Sequence, residues 1–202
     1  MRRRRPIPHL GGARALVLHR LHADASALLR QLGAIGLNAD SAWPDLPADA
    51  ALADFVFLDA DRAADAQLPW PPGEAPMPVV ALIGAEAPGR VEWALNQRAD
   101  AHLVKPIGNA GVYSALLIAR QRWEERQALH REIAGLKAQL AERRTVVRAM
   151  LALSDEGMSE AEAYSELRRQ AMDARVTVED AAARLLEARA DKGGARERTR
   201  RS

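Results

Sequence analysis

The chain contains no cysteine. That absence excludes a disulfide framework, a thiolate zinc or iron–sulfur site and a cysteine nucleophile. No apolar run approaches the roughly 18 residues that a membrane span needs. The basic start, Arg2 to Arg5, is not followed by an apolar stretch of signal-peptide length. A soluble, cytoplasmic protein is expected, with no membrane contact. Aromatic residues are scarce, at 4%, and no proline follows Pro106. Neither sign of charge dominates, since the net value is only +2.

What is present has an ordinary globular balance, with 48% hydrophobic and 28% charged residues in 202 positions. That length suits one or two domains. The ends are the basic parts. Residues 1–5 hold four arginines, and residues 189–202 hold six basic against two acidic residues. Such tails either contact phosphate or stay solvated.

The first half alternates short apolar runs with helix-like segments. Ala15–His19, Phe55–Leu58, Val79–Ile83 and His102–Val104 read as buried strands, with Leu37–Trp43 a weaker fifth. A helix is expected from Asp24 or Ser26 to Ile35, with Gly36 past its end. Continuous apolar strands between helices predict a doubly wound parallel sheet covered on both faces. Residues 60–78 carry five prolines, so an irregular connection is expected there.

From Gly111 the pattern becomes helical, and one long helix is expected from about Ala110 to about Leu153. Val112, Leu116, Ala119 and Trp123 form one stripe. Leu129, Ile133, Leu136, Leu140 and Val147 form a second, with Arg143 in the vacant seam position. Spacings alternating between four and three describe a coiled-coil seam. The phase change suggests that the first stripe packs on the α/β domain and the second on a partner helix. The alternative is a long surface helix covering its own domain. After Gly157, Ser159 and Glu162 make a capping box with Met158 at the staple position. The next helix buries Ala163, Leu167 and Ala171. A last one, Glu179 to Ala188, buries Ala182, Leu185 and Leu186.

No glycine-rich phosphate loop, serine elbow or metal-ligand spacing is present, and the five histidines form no metal pattern. No enzyme activity, metal or cofactor is expected. Ligands of an open parallel sheet sit at the strands' C-terminal ends. There the chain has strand–Asp59 and strand–Lys105-Pro106, and this resembles a response-regulator receiver domain. The resemblance implies that Asp59 matches the phospho-acceptor and Lys105 the lysine that contacts the phosphoryl group. Where the family has an acidic pair after the first strand, this chain has His19 and Arg20. Where the family has Ser or Thr after the fourth strand, it has Gly84. Phosphoryl transfer to a carboxylate needs Mg²⁺ and its oxygen ligands. The pocket of Asp59, Lys105, Arg20 and Gly84 is therefore expected to be degenerate, with Arg20 pairing to Asp59.

The segment from Gly157 to Met172, GMSEAEAYSELRRQAM, resembles the core of the ANTAR domain. The matching residues are Gly157, Glu160, Ala163-Tyr164, Leu167-Arg168 and Ala171-Met172, and Val176–Glu187 looks like that family's last helix. Upstream, Arg148, Ala149, Met150 and Leu151 stand near the family's Ala-Lys pair. The order receiver, coiled coil, ANTAR is similar to the AmiR-like transcription antitermination regulators. The resemblance implies a dimer that binds leader RNA and is held by a ligand-sensing partner protein of solute-binding type. Expected segments are a basic tail (1–12), a pseudo-receiver (13–110), a coiled-coil helix (111–140), an RNA-binding domain (141–188) and a second basic tail (189–202).

Loop bases of RNA are read by aromatic or Arg stacking, and phosphates are held by cations. Arg148, Tyr164, Arg168, Arg169 and Arg175 are the candidate RNA contacts, and Leu129, Ile133, Leu136 and Leu140 the candidate dimer seam. Tyr164 sits equally well in a helical core. Two other regulators fit the sequence: a phosphorylation-controlled response regulator, and a DNA-binding helix-turn-helix protein.

Overall fold

A computed structural model describes residues 9–108 and 110–200, with side chains as far as Ala190. The basic run Arg2–Arg5 lies outside these residues, as do the side chains of the second tail beyond Ala190. The chain divides into two units, meeting between Ala128 and Leu129.

The first unit holds five parallel strands: β1 (Arg14–Leu18), β2 (Asn38–Ala42), β3 (Phe55–Asp59), β4 (Val79–Ile83) and β5 (Ala101–Val104). Their order is β2-β1-β3-β4-β5. This is the doubly wound, flavodoxin-like order that receiver domains share. Apart from Arg14 at the start of β1 and Asp59 at the end of β3, the three inner strands are apolar because both their faces are covered. Edge strand β2, NADSA, is polar and mostly exposed.

One face of the sheet is covered by α1 (Ala23–Ile35) and the start of α3 (Val112–Ser154). Leu28 and Leu32 meet Val112, Ala115, Leu116 and Ala119 over Val17, Phe55 and Phe57. Thus the first stripe of the long helix packs into the sheet's core. Helix α1 starts after His22, not at Asp24 or Ser26. Asp24 instead accepts the N–H of Ile107 at 3.0 Å. Gly36, at φ 102°, closes the helix by donating to the carbonyls of Leu32 and Gly33, a left-handed position that glycine favours.

The opposite face has no helix between β3 and β4. One short 3₁₀ turn and the proline-rich stretch take that place, and a second 3₁₀ turn precedes β3, with Leu46, Ala50, Leu68 and Met77 buried beneath them. Helix α2 (Pro88–Asn96), which the sequence reading did not assign, completes the layer. Pro88 starts it at a position where its missing N–H costs nothing.

The second unit is three-helical: the remainder of α3, α4 (Glu160–Ala174) and α5 (Val178–Arg200). Ala149 and Leu153 of α3 join Ala163 and Leu167 of α4 and Ala182 of α5 in one small core. The Ser159–Glu162 capping box forms: the Ser159 N–H donates to Glu162 at 2.9 Å, and the Glu162 N–H donates to Ser159 Oγ at 3.4 Å. Thr177 and Asp180 do the same for α5. Helix α5 continues well past Ala188, because Ala, Arg, Glu and Lys dominate the segment and no proline stops it. Arg189 of α5 donates to the Ala152 carbonyl and pairs with Glu156 at 2.8 Å, tying α5 to the end of α3. Among the described residues, no helix is long and apolar enough to cross a membrane.

Candidate functional site

The C-terminal edge of the sheet gathers His19, Arg20, His22, Asp24, Asp59, Asp61, Arg62 and Lys105 around one cavity. Asp59 ends the central strand and is fully buried. Lys105 follows β5 and reaches across the edge. Its Nζ lies 2.5 Å from Asp59 Oδ1 and 2.9 Å from Asp61 Oδ2, so one ammonium serves two carboxylates.

Arg20 does not pair with Asp59. Its side chain is exposed, and only its carbonyl takes part, accepting from His19 Nδ1 at 2.5 Å. The buried partner is His19, whose Nε2 stands 3.3 Å from Asp59 Oδ2 without hydrogen-bond alignment. Because Nδ1 donates to a carbonyl, Nε2 carries a proton toward Asp59 only in the imidazolium form. Lys105 pairs with Asp59, and His19 stands beside the carboxylate where Arg20 was expected.

Asp61 was missed as a member of this site. It follows Asp59 in a tight turn, its N–H donating to Asp59 Oδ1 at 3.1 Å. Its carboxylate accepts the N–H groups of Gly84 at 2.8 Å and Ala85 at 3.1 Å. Partial burial pushes the Asp61 carboxyl up. The hydrogen bond and charge of Lys105, together with the two N–H groups, outweigh that and hold it below its usual 3.8.

These residues do not fit the Mg²⁺ that phosphoryl transfer in receiver domains requires. A hard cation needs several free carboxylate oxygens. Here a histidine and an arginine follow β1, Lys105 with two backbone amides engages Asp59 Oδ1 and both Asp61 oxygens, and the remaining Asp59 Oδ2 faces the His19 ring.

The second unit presents a different surface. By helical period, Tyr164, Arg168 and Met172 align along one side of α4, next to its buried stripe of Ala163, Leu167 and Ala171, and Arg175 follows at the C-cap. Tyr164 is 45% exposed and Met172 69%, so Tyr164 is not a core residue. Arg175 caps α4 at φ 55°, in the left-handed region where a non-glycine residue carries strain.

Arg169 does not share this side. It lies among Glu162, Glu166 and Asp173, and bridges Glu166 at 2.6 Å and Asp173 at 2.9 Å. The Arg169 and Gln170 hydrogen bonds pull Glu166 down to about 2, and the pairing with Glu166 raises Arg169 in turn. Arg148 is exposed on α3, one residue before the core residue Ala149. Leu129, Ile133, Leu136 and Leu140 are 40–59% exposed, an apolar line along α3 that no described residue covers.

Comparison with known proteins assigns both units. The family described as "AmiR, N-terminal" matches residues 13–120, and the ANTAR domain matches residues 134–186. The transcriptional regulatory protein PdtaR of Mycobacterium tuberculosis is 36% identical over 111 residues, 54% of either chain. This chain thus spans about half the length of the curated relatives it matches. Among solved structures, full-length FixJ from B. japonicum is 17% identical, with 87% of this chain and 96% of that one covered at a TM-score of 0.44. The receiver domain of a modulated diguanylate cyclase from Desulfovibrio desulfuricans G20 is 13% identical, covering 56% and 98% at 0.44. With a family match over more than half its length, the chain belongs to the AmiR-like family of transcription regulators that carry an ANTAR domain.

Proposed function

We propose that the protein is a transcription antiterminator that binds leader RNA hairpins as a homodimer. The observation that carries the reading is the side of α4 formed by Tyr164, Arg168 and Met172, with Arg175 at the helix's C-cap, inside the ANTAR-matched segment. An exposed ring beside cations offers a base both stacking and phosphate contact. Arg148 extends this surface from α3. The seam of Leu129, Ile133, Leu136 and Leu140 supports a parallel pairing of two chains, which would present two such surfaces to paired hairpins. In this reading residues 13–110 are a pseudo-receiver, 111–140 the coiled coil and 141–188 the RNA-binding domain.

The pseudo-receiver acts by docking and not by phosphorylation. Control comes from a ligand-sensing partner of solute-binding type that holds the regulator in the cytoplasm and releases it to RNA. The deciding experiment is a gel shift with the leader RNA of the protein's own operon against duplex DNA of the same sequence. Retardation of the RNA alone is expected. Retardation of the duplex alone overturns the reading in favour of a helix-turn-helix regulator.

A further inference from the structure

The sequence has Gly84 at the point where β4 leaves the sheet, and the space beside it is filled. A Cβ built on Gly84 would lie 2.6 Å from Asp61 Oδ2 and 3.5 Å from Lys105 Cδ. Any side chain at position 84 would therefore displace the Asp61 carboxylate. That carboxylate receives three donors from two separate loops: the consecutive N–H groups of Gly84 and Ala85, and the Lys105 ammonium. Successive backbone amides together with a cation form an anion-binding concavity. The anion in it is supplied by the chain itself, 23 residues upstream of Gly84 in sequence.

We propose that Gly84 N–H, Ala85 N–H and Lys105 Nζ form an oxyanion cradle that Asp61 occupies as a tethered internal ligand. The strap pins the β4–α2 loop to the β3 turn without any covalent modification. It also explains the pairing of a glycine at position 84 with an aspartate at 61: the missing side chain makes the room that the carboxylate fills. The cradle's ligand class is a small oxyanion, a carboxylate or an inorganic phosphate, which enters only when Asp61 leaves. This inference concerns the first unit and stands whether or not the second unit binds RNA.

The test is amide hydrogen exchange, read by NMR at Gly84 and Ala85 in the full chain. In the wild type both amides should exchange slowly, and added formate or inorganic phosphate should change nothing. In Asp61→Ala the two amides should exchange roughly tenfold faster or more, as for loss of a hydrogen bond to a charged acceptor. Formate or phosphate, added separately, should restore protection, and Lys105→Met on that background should abolish the rescue. Rescue by formate alone would define a carboxylate cradle, and rescue by both a general oxyanion cradle. Rescue by neither, or unprotected amides in the wild type, overturns the proposal. If Asp61→Ala fails to fold, Gly84→Ala evicts the carboxylate sterically. Gly84 does not adopt a left-handed backbone, so that change adds only a methyl group. Wild-type exchange at Ala85 in this variant overturns the proposal equally.

Discussion

Arg126 grips Asp100 with both terminal guanidinium nitrogens, at the start of β5 where α3 passes the edge of the sheet. Asp100 is almost fully buried and also accepts the N–H of Val79 at 3.0 Å, while Arg122 donates to its carbonyl at 3.4 Å. The carboxylate thus ties the beginnings of β4 and β5 to the last turns of α3 in the first unit. Arg126→Ala leaves this buried charge with one neutral donor. Loss of one partner from a buried pair costs about 3–5 kcal/mol, and Arg126 is partly exposed, so a value near the lower end is expected. Urea unfolding of the first unit measures it. A midpoint equal to that of the wild type would show that water replaces the guanidinium without loss.

Asp61 makes stability depend on acid. Its folded value lies below 3.8, so the carboxylate is preferred in the folded chain. That contribution is complete above the unfolded value and is lost as pH falls through the folded one. Between neutral pH and about 4, set by the ordinary value for aspartate, Asp61 should add no slope. Below that range wild-type stability should fall more steeply than that of Asp61→Asn, which lacks the titrating group. Parallel curves for the two proteins would remove Asp61 from the acid response.

No phosphorylation of Asp59 is expected on incubation with a small-molecule phosphodonor and Mg²⁺. Lys105 and His19 already face both oxygens of the buried carboxylate, and Asp61 is engaged by the β4–α2 loop. Intact mass should stay unchanged. A gain of one phosphoryl group that disappears in Asp59→Asn would contradict this.

Much of the architecture was legible because β1 after Arg14, β3 before Asp59 and the whole of β4 are continuous apolar runs, the pattern of strands covered on both faces. The small core of the second unit was legible from helical spacing alone. Helix α2 was not, since nine residues with a single buried alanine give too little period to detect. The pocket was half legible. Successive residues at the end of β1 point in different directions, so only one of His19 and Arg20 could reach Asp59, and composition does not say which. Asp61 was invisible as a ligand of residues 84, 85 and 105, because tertiary folding alone brings them together. Arg169 is different. Its three- and four-residue spacings to Glu166 and Asp173 stood in the sequence, and they assign it to an internal ion-pair line.

The α3 seam predicts a concentration-dependent dimer. Four apolar side chains at 40–59% exposure are costly in water and fill holes only against a second helix. Leu136→Arg places a charge in the middle of that seam, which should weaken association by several kcal/mol. Light scattering should report a dimer for wild type and a monomer for the variant. Equal masses would mean that the seam is not the dimer interface.

The geometry of α4 separates two adjacent arginines. Arg168 lies on the side of Tyr164 and Met172, with no acidic partner among the described residues, whereas Arg169 is held by Glu166 and Asp173. A cation that contacts phosphate releases about one counterion, so Arg168→Ala should weaken RNA binding and flatten its salt dependence by roughly one unit. Arg169→Ala should do neither, because its charge is already neutralised on the far side of the helix. Tyr164→Leu keeps an apolar side chain at a half-exposed position, so the fold should survive. If the ring stacks on a base, this variant loses about 1–3 kcal/mol of affinity while the salt slope stays unchanged. Filter binding over a range of salt concentrations measures all three. Equal slopes for Arg168→Ala and wild type, with a flattened slope for Arg169→Ala, would move the RNA surface to the opposite side of α4.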